Sequence, residues 1–279
     1  MNKLLTANFS RMLKNKFLYI GILVLGGAIA MQLYKGYTYM QSHPGEIISL
    51  DIFLLMYSKV AIIISSIFAG FFIGTEYSDK TIRNKIIVGH TRIAVYIANM
   101  ITCILATLIF FLTPMLVTVL AGLPLSGVFT WSSKVLIQTI LCSILTVIAF
   151  VSIFMLIVML ISNKAVGTIA VLIITSIMIF SAVEIGNMLA EPEMIQGVSS
   201  IGSDGVTIEY SEEPNPNYLD GTARKVWQVV YDCLPGGQIS QYGGNTLPQN
   251  ISMFPVYSFM VILISSGAGI LIFRKKNLK

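Results

Sequence analysis

Apolar residues along this chain collect into six long runs: Phe17–Tyr34, Ile52–Gly74, Ile93–Ala121, Val135–Ile161, Gly167–Leu189 and Ile251–Phe273. Each is long enough for a helix to cross a bilayer, which takes about 17–25 residues. A helix satisfies its own backbone hydrogen bonds where water is absent, so the pattern predicts six membrane-spanning helices and an all-α polytopic membrane protein. The third and fourth runs exceed what a span requires, and tilt or overhang is expected of them. Pro114 lies inside the third, where it removes one backbone donor and predicts a kink.

The polar positions between the runs carry patterns of their own. In residues 1–16, Leu5, Phe9, Met12 and Leu13 share one helical face, with Lys3, Arg11, Lys14 and Lys16 around the remainder. That arrangement predicts an amphipathic helix lying along the membrane interface. Residues 190–250 form the longest polar stretch, rich in acids (Glu191, Glu193, Asp204, Glu212) and holding five of the nine prolines. It reads either as a plain surface loop or as a lid over a substrate path. Within it, Val198–Tyr210 has the turn and alternation of a hairpin, and Thr222–Leu234 gathers Trp227, Val230, Tyr231 and Leu234 on one helical face.

Composition agrees with the runs. Hydrophobic residues make up 55% of the 279 and charged residues only 11%, with a mean hydropathy of +0.81. A soluble domain carries about 25% charged residues, so a soluble enzyme, a disordered tail and a nucleic-acid-binding module are set aside. The net charge of +5 is then an orientation signal. Thirteen of the 18 Lys and Arg residues lie before the first run, between the second and third, between the fourth and fifth, or after the sixth. Four lie on the other side (Lys35, Lys134, Arg224, Lys225), and Lys59 is within a run. Both termini are therefore expected in the cytoplasm, with residues 190–250 outside. Ala28-Ile29-Ala30 resembles a signal-peptidase site, but the long helical pattern ahead of the first run favours an uncleaved span.

Sites for chemistry are sparse. His43 and His90 are the only histidines, too few and too far apart for a metal site, and Cys103, Cys142 and Cys233 make no disulfide framework. No phosphate-binding Gly-rich loop is present, and Leu234-Pro235-Gly236-Gly237-Gln238 reads as two glycines before an interfacial turn. No catalytic residue is expected. Lys59 and Glu184 interrupt the second and fifth runs. Lys59 either snorkels to the interface, pairs with Glu184 inside the bundle, or contacts a substrate.

The segment Thr75–Arg92, between the second and third runs, has the makings of a short cytoplasmic helix. Ser78 can cap it with Asp79 in the first turn, Ile82 and Ile86 share a face from which Arg83 and Lys85 point away, Gly89 can stop it, and Thr91 can cap the following span. Taken as physics alone, it is either such a helix or a plain basic loop.

Glu76-Tyr77, then Thr81-Ile82-Arg83-Asn84, then Gly89-His90-Thr91-Arg92 resembles the segment that follows the second span in ABC-2-type exporter permeases and forms their coupling helix. The chain departs from that pattern in Lys80, where a Gly is common, and in Gly89-His90, where a Pro is common. The resemblance implies a single permease domain of six spans in the plasma membrane of a bacterium, exporting a substrate of a class that in similar permeases includes antimicrobial peptides, lipids, drugs and ions; an amphipathic peptide or hydrophobic compound is preferred among these. It also implies two separate ABC ATPase subunits, which bind the ATP and Mg, and a second permease copy or a related permease; the chain itself binds no cofactor and is no enzyme. Glu76, Thr81, Ile82, Arg83, Ile86 and Arg92 would couple to the ATPase, Ile82 and Ile86 as apolar anchors in its cleft. An ion-coupled secondary transporter using Lys59 and Glu184, and a membrane scaffold or immunity protein, are the competing readings.

Overall fold

A computed structural model describes residues 1–47, 49–125, 127–201, 208–243, 248 and 250–277. The chain begins with α1 (Asn2–Leu13) and then α2 (Lys16–Ser42), the first span, whose Asn15 cap accepts from the Phe17 N–H at 2.9 Å. The second span is broken at Met56–Tyr57 into α3 (Leu50–Leu55) and α4 (Ser58–Ser78). A short α5 (Thr81–Ile87) leads to α6 (Arg92–Val117), which contains Pro114 and runs into a π-helical turn at Thr118–Gly122. The fourth and fifth spans, α7 (Ser133–Leu160) and α8 (Lys164–Ala190), start at Ser132 and Asn163 caps. An antiparallel hairpin of β1 (Met194–Ile201) and β2 (Ile208–Pro214) follows, then α9 (Gly221–Cys233), α10 (Pro235–Tyr242) and the last span, α11 (Phe254–Lys275). Among the described residues, six helical stretches are long and apolar enough to cross a membrane.

Close packing within the bundle rests on small residues, as expected where lipid offers no hydrophobic drive between helices. Gly70 and Gly74, one turn apart on α4, lie against the backbone of α8: a Cβ on Gly70 would sit 2.7 Å from the Thr168 Cα, and one on Gly74 2.8 Å from the Lys164 Cα. On the other side of the bundle the Ser152 and Ser265 hydroxyls join α7 to α11 at 2.7 Å. The Phe110 ring of α6 fills the space beside Gly21 of α2, and Phe68, Phe72, Phe150 and Phe154 continue the buried interior.

Residues 190–250 are more than a surface loop. The hairpin extends at both ends beyond Val198–Tyr210, its turn lying outside the described residues. The helix expected at Thr222–Leu234 forms, with Val230, Tyr231 and Leu234 half-buried and Trp227 exposed; its fully buried residue is polar, Asp232, which accepts from Gln228, Gln241 and Asn250 at 2.8–3.1 Å. Burying a carboxylate requires such donors. The Pro235-Gly236-Gly237 segment is no interfacial turn. It forms the first turn of α10, where glycine lets the helix meet the Met178 and Tyr231 carbonyls. Buried Gln238 then accepts from the Thr146 and Ser258 hydroxyls at 2.7 Å each and donates to the Asp232 carbonyl at 2.9 Å.

Two tests follow from this arrangement. Gly70→Ala should lower the melting temperature of the detergent-solubilised protein, since overpacking costs about 1–3 kcal/mol and the neighbour here is backbone; an unchanged melting curve would mean that α8 is not seated on α4. For sidedness, single cysteines at exposed Asn217 and exposed Val88 in a background lacking half-exposed Cys233 should react from opposite sides of the membrane, Asn217→Cys in intact cells and Val88→Cys after permeabilisation.

Candidate functional site

The last turn of α4 carries Glu76, which is 0% exposed. Three helices supply its partners. Arg11 of α1 approaches Oε1 at 2.9 Å, Lys85 of α5 donates to the same oxygen, and Asn99 of α6 donates to Oε2 at 2.7 Å. Asn8 closes the network by donating to the Asn99 Oδ1 at 2.7 Å and accepting from the Lys85 Nζ at 2.9 Å. The Arg11 guanidinium also lies 3.8 Å from the centroid of the Phe72 ring. Burial pushes the Lys85 ammonium below its ordinary range, and the Glu76 charge pulls it partly back.

These contacts revise the reading of α1. Leu4, Asn8 and Met12, at helical spacing, are its buried face, Leu13 is 52% exposed, and Arg11 turns inward to Glu76 rather than outward to water. A buried carboxylate draws the nearest guanidinium, and here the guanidinium also rests on the Phe72 ring.

The α5 segment starts differently from expectation and stops as expected. Ser78 does not cap it; this residue ends α4 and its hydroxyl donates to the Gly74 carbonyl at 3.2 Å. The chain turns instead at Lys80, a non-glycine residue in the left-handed region at φ 54°. At the other end the Gly89 N–H reaches the Ile86 carbonyl at 3.0 Å and the His90 N–H the Lys85 carbonyl at 3.1 Å, with Gly89 at φ 101°. This paired pattern closes a helix with a left-handed residue that glycine adopts without strain. Thr91 then caps α6, accepting from the Ala94 N–H at 3.2 Å.

Ile82 and Ile86 do not stand out as anchors for a partner. Ile82 is 1% exposed and Ile86 packs against the same apolar interior, because the inward pull on Lys85 rotates that face onto the bundle. Lys85 therefore points inward as well. The apolar residues offered outward are Ile87 and Val88, 69% and 79% exposed, just before the Gly89 stop. Arg83 is exposed and Thr81 half-buried. Arg92 donates to the Phe273 carbonyl at 3.1 Å and the Arg274 carbonyl at 3.0 Å. Beside Val88, a groove of about 330 Å³ runs between α1 and α5, bordered by Lys3, Leu4, Ala7, Asn84 and His90.

Lys59 and Glu184 form no ion pair. Glu184 is exposed on α8, and Lys59 is half-buried in the first turn of α4, just past the break at Met56–Tyr57. The ion pairs among the described residues are the two made by Glu76. Sequence reading singled out Glu76 but not Asn8, Arg11, Lys85 and Asn99 as its company. Two signals were there: Asn99 stands inside an apolar run, and Asn8 is spaced with Leu4 and Met12.

A family model described as ABC-2 family transporter protein matches residues 4–182, from α1 through most of α8. No curated protein matches the chain.

Glu76→Gln tests the centre of this network. It leaves the Arg11 and Lys85 cations without their counter-charge, and breaking a buried pair costs about 3–5 kcal/mol. In a double-mutant cycle with Lys85→Met, monitored by unfolding in detergent, the second change should recover part of that loss, with a coupling of about 0.5–3 kcal/mol. Additive losses would mean that Lys85 and Glu76 do not depend on one another.

Proposed function

The chain belongs to the ABC-2 transporter family, and we propose that it is the permease subunit of an ATP-driven exporter, with α5 as its coupling helix. The observation that carries this reading is the split character of α5. Its inner face, Ile82, Ile86 and Lys85, is held on the bundle, while its outer end presents Ile87 and Val88 beside the α1–α5 groove. A rigidly mounted short helix with an exposed apolar tip suits a docking element, since removing apolar surface from water drives association. Two ATPase subunits on separate chains, carrying ATP and Mg, would dock there, against two copies of this permease. Glu76 acts from within the permease as the mounting of α5, Arg92 from within it on the end of α11, while Thr81 borders the α1–α5 groove and Arg83 faces the partner.

The basic end, with α1, α5 and the residues after α11, faces the cytoplasm in this reading, as the distribution of Lys and Arg supports. The hairpin and α9 face outward. The buried hydroxyls of Ser65, Thr102 and Thr175 donate to carbonyls one turn back in their own helices. Hydroxyls turned to their own backbones in this way are not set out as ligands for an ion, which favours an amphipathic peptide or hydrophobic compound as the substrate.

Replacing Ile87 and Val88 together by Asp tests the docking. The ATPase should no longer co-purify and permease-dependent ATP turnover should vanish, while membrane insertion stays normal because no span loses apolar length. Equal recovery of ATPase with the parent and the variant would refute α5 as the docking element.

A further inference from the structure

The basic residues that follow the last span have an ordinary explanation as orientation charges, and charges with only that task sit in water. Lys276 does not. After α11 the backbone turns to an extended conformation at this residue, and its Nζ donates to the Tyr77 hydroxyl at 3.1 Å and to the Met159 carbonyl at 3.0 Å. The ammonium lies 4.3 Å from the centroid of the Tyr77 ring, and the Tyr77 hydroxyl itself donates to the Met159 carbonyl at 2.5 Å. Lys276 is half-buried, and burial lowers its ammonium to about 8.

Arg92 fastens the same segment from the other side. Its guanidinium donates to the carbonyls of Phe273, Arg274 and Lys276, at the end of α11 where helical carbonyls lack partners. Phe273 is fully buried against the Tyr96 ring, with centroids 6.3 Å apart. The ends of four helices meet here: Tyr77 from α4, Arg92 from α6, Met159 from α7, and the segment after α11. Two of them flank α5 directly, for Tyr77 follows Glu76 and Arg92 opens the helix after the Gly89 stop.

We propose that residues 274–276 form a strap that makes the last span part of the coupling assembly, with Lys276 and Arg92 as positioning residues that carry displacement of α5 and its flanks to α11. Coupling needs an element whose arrangement both sites bias, and the strap ties α11 to the two chain segments that any movement of α5 must shift. It rests on the reading of α5 as the coupling helix.

The experiment uses the permease purified with its ATPase. Lys276→Met keeps the stem and removes the charge and donors. It should lower permease-dependent ATP turnover about tenfold, a typical strength of coupling between sites, with the amount of co-purified ATPase unchanged. Lys276→Arg, which retains charge and donors, should restore turnover, a rescue that loss of packing alone would not give. A cysteine at exposed Asn277, in a background lacking Cys233, should react with maleimide faster in the Lys276→Met chain than in the parent. If Lys276→Met does not fold, Tyr77→Phe removes only the hydroxyl and should shift both readouts in the same direction. Faster labelling with unchanged turnover overturns the strap's role in coupling, and unchanged labelling overturns the strap itself. Absence of ATPase from the parent preparation removes the coupling reading and the strap's role together, and is recognised before any variant is made.

Discussion

A fully buried carboxylate in a membrane protein is tolerated only with cations and hydrogen-bond donors around it; left alone it costs several kcal/mol. Glu76 imposes that requirement at the basic end of the bundle, and no single neighbouring helix meets it. Arg11 comes from α1, Lys85 from α5 and Asn99 from α6, so those three helices have to converge on the last turn of α4. The placement of α1 against the bundle, the roll of α5 about its axis and the burial of Ile82 follow from this. So does the exposure of Ile87 and Val88: when Lys85 is drawn in, the end of a helix that short has to face out.

The opposite end is built on the same physics with neutral groups in the leading part. Gln238 uses both ends of its amide, accepting from Thr146 and Ser258 and donating to the Asp232 backbone, and so binds α10 to α7, α9 and α11. Asp232 is surrounded by the amides of Gln228, Gln241 and Asn250. Asp51 at the start of α3 accepts from the Ser49 hydroxyl and the Thr130 backbone N–H at 2.7 Å each, pinning the start of the second span to the connection ahead of α7. A buried unpaired polar group costs more than a well-made hydrogen bond returns, and these knots keep irregular backbone near the membrane satisfied.

Local features were legible in the sequence and distant pairings were not. The six apolar runs became six spans, the Gly89 stop and the Thr91 cap appeared where local chemistry places them, and two antiparallel strands paired in the segment that reads as a hairpin. Each depends on residues within one turn or one strand pair. The burial of Ile82 depends on Lys85 meeting Glu76 nine residues away and on Asn8 and Asn99, which are 91 residues apart. The burial of Asp232 in α9, a residue that hydropathy assigns to solvent, likewise depends on distant donors such as Asn250. The contact of Gly70 and Gly74 with α8 needs knowledge of which helix is the neighbour. The first span also runs on to Ser42, past Lys35, because a charged residue near the end of a helix reaches water without ending the helix.

That glycine contact limits how this bundle changes shape. With the backbones of α4 and α8 this close, rolling α4 about its own axis would bring Phe71 or Ile73 to a place that has no room even for a methyl group. The two helices therefore form one strut. It begins at the Glu76 network, and through α8 it reaches Ala190, only four residues before the first strand of the hairpin. A push applied beside α5 is thus delivered to the far face of the protein as a rigid displacement, and the bending has to take place in the loops at either end.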